Sequence, residues 1–198
     1  DDWKIYIYEE GKISIAEYRG SSENVAIPDN FDGFPVVSIG QNAFLDKDSL
    51  VSVTIPDSVT LIDREAFRCC KSLEKIVIPD SVKEIESYAF YGCENLTSVD
   101  FGNSLEKIGY EAFKFCSSLT SVVIPDSVKK IDYYAFSCCK SLTDFTIGKS
   151  VLSFDCSQVL VRMESLHTIT LKNAGTDLIN VPSSVQVIKP KAKSLREQ

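Results

Sequence analysis

The chain has 198 residues, 44% of them hydrophobic, and a formal net charge of −7. That is apolar enough for a sizeable core, and too acidic for the basic footprint of a nucleic-acid-binding protein. No apolar run approaches the roughly 18 residues of a membrane span, so membrane insertion is not expected.

The chain opens Asp1-Asp2-Trp3, with neither Met nor a signal peptide, as expected of a mature or excised fragment. Residues 3–8 and 12–18 alternate apolar and polar side chains around Glu9-Glu10-Gly11, which predicts a β-hairpin. Residues 24–27 and 34–39 predict further short strands, separated by the turn residues Pro28-Asp29-Asn30 and Asp32-Gly33.

From Ile55 the chain repeats itself. IPDSVTLIDREAFRCCKSLEKIV is followed by near-copies from Ile78, Phe101 and Ile124, at a constant period of 23 residues. A period of this length, with Leu, Val and Ile at fixed offsets, marks a leucine-rich-repeat solenoid. Within a unit, Leu73-x-x-Ile76-x-Ile78 has strand alternation and Pro79 ends it by withholding a ladder donor. Ser81-Val82-x-x-Ile85 predicts a second short extended segment. Tyr88-Ala89-Phe90-x-x-Cys93-x-x-Leu96 shifts to three-residue spacing, which predicts a short helical turn. The predicted class is therefore α/β.

Stacking the units turns offsets into columns. Phe44, Phe67, Phe90, Phe113 and Phe136 form one, each preceded by Ala, with rings expected at the ~4.8 Å spacing of parallel strands. The pattern starts at Ile27 with an irregular 28-residue unit and decays after Ile147, where Val159-Leu160 replaces Ala-Phe. The expected organisation is an N-terminal β cap over residues 1–26, repeats over 27–171, and a C-terminal half-repeat with a polar tail over 172–198. Lys189, Lys191, Lys193 and Arg196 make that tail basic, and it reads as a frayed end.

No catalytic set converges. Cys70, Cys93, Cys116 and Cys139 recur every 23 residues, a line of thiols that cannot wrap one metal ion, so they read as buried core. Cys69, Cys138 and Cys156 stand beside or outside that column. His167, the single histidine, reads as a surface residue at a strand entry. Asp57, Asp80 and Asp126 follow the Pro of each IPDS and read as turn residues bonded to their own backbone. No enzyme activity, cofactor or metal is expected. Two surfaces remain as binding candidates. The outward positions of the first strand in each unit are Ser52, Thr54, Lys75, Val77, Ser98, Asp100, Ser121, Val123, Asp144 and Thr146, continued by Thr168 and Thr170. Tyr88, Tyr110, Tyr133 and Tyr134, with Tyr91 close by, line one flank.

IPDSVxxI followed by AFxxCxxL, at this period, resembles the BspA-like (treponemal-type) leucine-rich repeat family. The opening is similar to that family's first unit as well, in Tyr18-Arg19-Gly20-Ser21, Ile27-Pro28 and Asp32-Gly33-Phe34-Pro35-Val36-Val37-Ser38-Ile39. The resemblance implies a right-handed, horseshoe-like solenoid with a parallel sheet on its concave side. It also implies a bacterial or protozoan surface or secreted protein, adhesin-like, whose partner is a protein or glycoprotein of a host or neighbouring cell. A structural spacer without its own ligand is the alternative.

Overall fold

The computed structural model describes residues 2–8 and 10–190. Glu9 of the first predicted turn and Lys191, Lys193 and Arg196 of the predicted tail lie outside the described residues. The chain begins with an antiparallel hairpin of β1 (Trp3–Ile7) and β2 (Ile13–Tyr18). After β3 (Asn24–Ala26), β4 (Asn30–Phe31) and β5 (Phe34–Ile39) form a second, smaller hairpin. Its two loop residues, Asp32 and Gly33, have φ of 52° and 84°, the left-handed pair that matches the twist of a tight hairpin. This hairpin is where the extra residues of the first unit go.

Each regular unit then supplies a three-residue strand and a two-residue strand. These are β6 (Ser52–Thr54) and β7 (Leu61–Ile62), β8 (Lys75–Val77) and β9 (Glu84–Ile85), β10 (Ser98–Asp100) and β11 (Lys107–Ile108), and β12 (Ser121–Val123) and β13 (Lys130–Ile131). The less regular end contains β14 (Asp144–Ile147), β15 (Ser153–Asp155), α1 (Cys156–Val159), β16 (Thr168–Leu171), β17 (Asp177–Ile179) and β18 (Gln186–Ile188). Strands stack in parallel between successive units: β5-β7-β9-β11-β13 on one side, with β2 and then β1 added outside β5. The other side carries β3-β6-β8-β10 and, separately, β12-β14-β16-β18.

The Ala-Phe segment is not helical. It forms a chain of turns whose alternate N–H groups point to the next unit: Asn42 N to Arg64 O at 3.2 Å, Phe44 N to Ala66 O at 2.7 Å and Asp46 N to Arg68 O at 2.9 Å. The residues between bond within their own unit, as Ala43 N does to Gly40 O at 3.1 Å. An α-helix directs every N–H along its own axis and has none to offer sideways; the turn chain supplies a third inter-unit ladder. Its bends are left-handed residues at two fixed offsets. One is the position before Ala (Asn42, Glu65, Tyr88, Glu111, Tyr134), and the other is two after Phe (Asp46, Cys69, Gly92, Phe115, Cys138). None of these ten residues is β-branched, the class least tolerant of positive φ. Among the described residues the one helical turn is α1, in the unit that lacks Ala-Phe, where Asp155 Oδ1 accepts from Ser157 N at 2.9 Å.

The core is the set of columns. Phe44, Phe67, Phe90, Phe113 and Phe136 are fully buried, with neighbouring centroids 4.8, 5.1, 5.0 and 5.2 Å apart and ring planes within 16°. The first hairpin closes the column. Tyr18 stacks on Phe44 at 5.3 Å, and Trp3 covers Tyr18 at 4.8 Å. At the other end Phe145 meets Phe136 edge-on at 5.2 Å.

One junction is open: β10 and β12 do not pair. Here Phe101-Gly102-Asn103 stands where the units at Ile27, Ile55, Ile78 and Ile124 have Ile-Pro-Asp. A Cβ on Gly102 would lie 2.4 Å from Pro79 O, and one on Gly148 2.1 Å from Pro125 O. Each glycine thus lets its unit settle against the proline unit before it. The gap falls between Gly102 and Pro125, and Phe101 fills the space beneath it, edge-on to Phe113 at 5.6 Å.

Candidate functional site

The strand alternation sorts the sheet residues as chemistry requires. Val53, Ile76, Val122 and Phe145 point inward and are buried. Ser52, Thr54, Lys75, Val77, Ser98, Asp100, Ser121, Val123 and Asp144 are exposed on the opposite face, while Thr146, Thr168 and Thr170 are half-buried. Val77 and Val123 are 61% and 54% exposed, so the face is polar with two apolar islands. Several hydroxyls are already engaged: Ser52 Oγ donates to Asn24 Oδ1 at 2.6 Å and Thr143 Oγ1 to Asp144 Oδ2 at 2.7 Å.

At the open junction this face sinks into a cleft of about 480 Å³. Ser98, Asp100, Ser121 and Val123 line it, four of the ten predicted face residues, brought together by the missing strand pairing. Asn103, Asp126 and Lys172 line it too, and sequence reasoning did not find them as site residues. Lys149 Nζ and Lys172 Nζ lie 2.8 and 3.3 Å from the Asp126 carboxylate, and together they hold it below the usual carboxylate range. Asp100 has no ion pair among the described residues.

The tyrosine flank is also real as a cluster, but its rings face one another. Tyr88 meets Tyr110 at 5.4 Å and Tyr91 at 5.9 Å, and Tyr110 meets Tyr134 at 5.9 Å. Tyr133, 56% exposed, stands outside these contacts. Cations occupy the remaining faces: Arg64 over Tyr88 at 5.6 Å, Arg68 over Tyr91 at 5.3 Å and Lys114 over Tyr134 at 5.6 Å. Those cations are tied in turn to Glu65 and Glu111. The Glu111 carboxylate pushes the Tyr110 phenol up to about 12. Arg64, Arg68, Lys114 and Phe115 were not singled out from the sequence, although Arg64 shares its repeat offset with Tyr110 and Tyr133.

The remaining candidates are structural. All seven cysteines are unbridged. The thiols of Cys70, Cys93, Cys116 and Cys139 donate to the carbonyls of Phe44, Phe67, Phe90 and Phe113 at 3.0–3.3 Å. Burial pushes Cys70 and Cys139 up to about 12 and Cys93 and Cys116 well above the ordinary thiol value, so no thiolate nucleophile forms near neutrality. His167 is exposed at the entry to β16. Asp80 and Asp126 bond the next unit instead of their own turn, accepting from Asn103 N at 2.6 Å and Lys149 N at 3.3 Å. Among the described residues no cluster of His, Cys, Asp and Glu could hold a metal ion, and no helix is long and apolar enough to cross a membrane.

Comparison with known proteins places this architecture. A structure of the T. pallidum leucine rich repeat protein (TpLRR) superposes with a TM-score of 0.78 at 31% identity, over 95% of this chain and 83% of that one. A leucine-rich repeat protein from Bacteroides ovatus matches with a TM-score of 0.67 at 28% identity, over 96% of this chain; the chain spans 54% of that protein's length. A leucine rich cell surface protein from Faecalibacterium prausnitzii shares the fold alone, at 20% identity and a TM-score of 0.51, with 95% and 71% coverage. No curated protein sequence matches. The profile of the BspA type leucine rich repeat region matches in 6 copies over residues 37–160. The chain belongs to the BspA-type leucine-rich-repeat family.

Proposed function

We propose that this protein is a non-catalytic binding module that grips a protein or glycoprotein partner on the outward face shared by the β3-β6-β8-β10 and β12-β14-β16-β18 sheets, taken as the concave side of the solenoid. The location that fits this role is the cell surface or the extracellular space, where an adhesin-like repeat protein meets a host or neighbouring cell. The cleft between β10 and β12 is the observation that carries the reading. It is a recess in an otherwise regular face, and predicted face residues from two units converge on it. Eight strands at about 4.8 Å spacing give a face roughly 35 Å long, enough for an extended segment or a small domain. The flank is the weaker surface because its aromatic faces are already covered by Arg64, Arg68 and Lys114.

The test is capture on a panel of immobilised extracellular-matrix proteins and mucins. Wild type is compared with the pair Asp100→Lys and Asp144→Lys, and with the pair Tyr88→Ala and Tyr134→Ala. The reading expects binding that the first pair abolishes and the second leaves nearly intact. The opposite pattern assigns the site to the flank, and no binding to any partner favours a spacer role.

A further inference from the structure

The break between β10 and β12 leaves backbone groups without their usual partners. Elsewhere in this stack Thr97 N donates to Glu74 O and Thr143 N to Thr120 O, both at 2.9 Å. Likewise Ile78 N donates to Asp100 O at 2.8 Å and Ile124 N to Thr146 O at 2.9 Å, although between β6 and β8, which pair at Ser52 and Lys75, Ile55 N makes no such bond to Val77 O. The equivalent bonds at the break, Thr120 N to Thr97 O and Phe101 N to Val123 O, are not made. The cleft therefore presents an open carbonyl at Val123, the hydroxyls of Ser98 and Ser121, and the Asp100 carboxylate. Lys172, the one cation lining it, is held by Asp126. What is left over is acceptor capacity and the Asp100 carboxylate, set apart from the Asp126 carboxylate that Lys149 and Lys172 share.

Building on the sheet-face reading, we propose that the cleft receives an arginine side chain of the protein partner. The guanidinium donates to the Asp100 carboxylate and the Val123 carbonyl, and the methylene stem lies along the exposed Val123 side chain. Arginine fits better than lysine because its planar fork spreads five donors over several acceptors, whereas an ammonium is a compact, strongly hydrated charge. An anionic group would meet the Asp100 carboxylate and would have to compete with Asp126 for Lys172. An apolar anchor would strip water from the open backbone groups and return no hydrogen bond.

The experiment is an amide-resolved NMR titration of the folded chain with Ac-Gly-Arg-Gly-NH2, and with the same peptide carrying citrulline, which keeps the shape and removes the charge. The proposal expects saturable shifts confined to the amides of Asp100, Phe101, Ser121 and Val123, weakened about tenfold by citrulline and about tenfold by Asp100→Asn. Asp177→Asn, exposed on β17 in a different sheet, should leave the arginine affinity within about twofold. Equal binding of the citrulline peptide, shifts spread over every exposed carboxylate, no saturable shift, or an Asp100→Asn protein that binds as wild type each overturn it. Loss of matrix-protein capture in the double charge reversal, together with a silent arginine titration, would reject the arginine and keep the sheet face. A specific arginine titration without any partner that depends on the face would reject the functional reading instead.

Discussion

Alkaline pH should unfold this protein through its cysteines. In the unfolded chain a thiol titrates near pH ~8.5. In the folded chain burial pushes Cys70 and Cys139 up to about 12, and Cys93 and Cys116 well above the ordinary value. An acid whose folded pKa is raised stabilises the fold below its unfolded pKa and loses that contribution as pH rises toward the folded one. Each such thiol costs about 1.4 kcal/mol per pH unit in that window. Four of them at pH ~10 cost roughly 8 kcal/mol, comparable to the whole stability of a typical domain of about 5–15 kcal/mol. Urea unfolding followed by circular dichroism in reducing buffer, from pH 7 to 10, measures this loss. Cys116→Ser keeps a donor for the Phe90 carbonyl and removes one titrating thiol; burial also pushes Cys156 up to about 11, so the alkaline slope should fall by about a fifth. A midpoint that stays level to pH 10, or a slope unchanged in Cys116→Ser, would refute the account of the thiol column.

Phe90→Ala should cost about 3–5 kcal/mol, because stacked neighbours on both sides prevent the cavity from closing. Phe44→Ala should cost nearly as much, since Tyr18 stacks on it, and a small loss at both sites by urea unfolding would mean the rings do not carry the core. Arg68, with Arg64, holds the Glu65 carboxyl below its usual range; its contribution is present above pH ~4.3 and lost as pH falls through the lower folded value. Glu65→Gln should therefore show a shallower fall in stability between pH ~5 and ~2 than wild type, and identical acid limbs would refute the pairing. Restoring the regular turn with Phe101→Ile, Gly102→Pro and Asn103→Asp should close the seam, slowing hydrogen exchange at the Thr120 amide. Unchanged exchange there would mean that these three residues do not open it.

Much of the fold was legible because a solenoid writes each packing position many times. The Phe, Leu and Cys columns all follow from a period read by eye, and the rings lie close to the strand spacing. The helical turn was misread for a physical reason. Three-residue apolar spacing records which side chains point inward and is silent on where the N–H groups point. Tyr88, Phe115 and Cys138 carry left-handed backbone without any compositional hint, and the inter-unit bonds that demand it lie about one unit away in sequence. The seam was half visible. Phe101-Gly102-Asn103 breaks the IPD pattern on the page, but its consequence depends on how closely Gly102 approaches Pro79, which only coordinates show. Lys172 was beyond reach because it joins the cleft from two units further on. The turn aspartates were misassigned for the same reason: a Pro-Asp-Ser run looks self-sufficient, yet Asp80 and Asp126 act as staples between units.

The central claim is that a partner sits on the sheet face at the β10–β12 cleft, and hydrogen–deuterium exchange of the complex tests it most directly. Once a partner has been captured, peptide-resolved mass spectrometry compares free and bound chains. The account predicts new protection over residues 97–101 and 120–123, where ladder bonds are missing in the free protein, and none over residues 87–92 or 133–135. Protection concentrated on the two tyrosine segments, with the seam still exchanging as in the free chain, would contradict it.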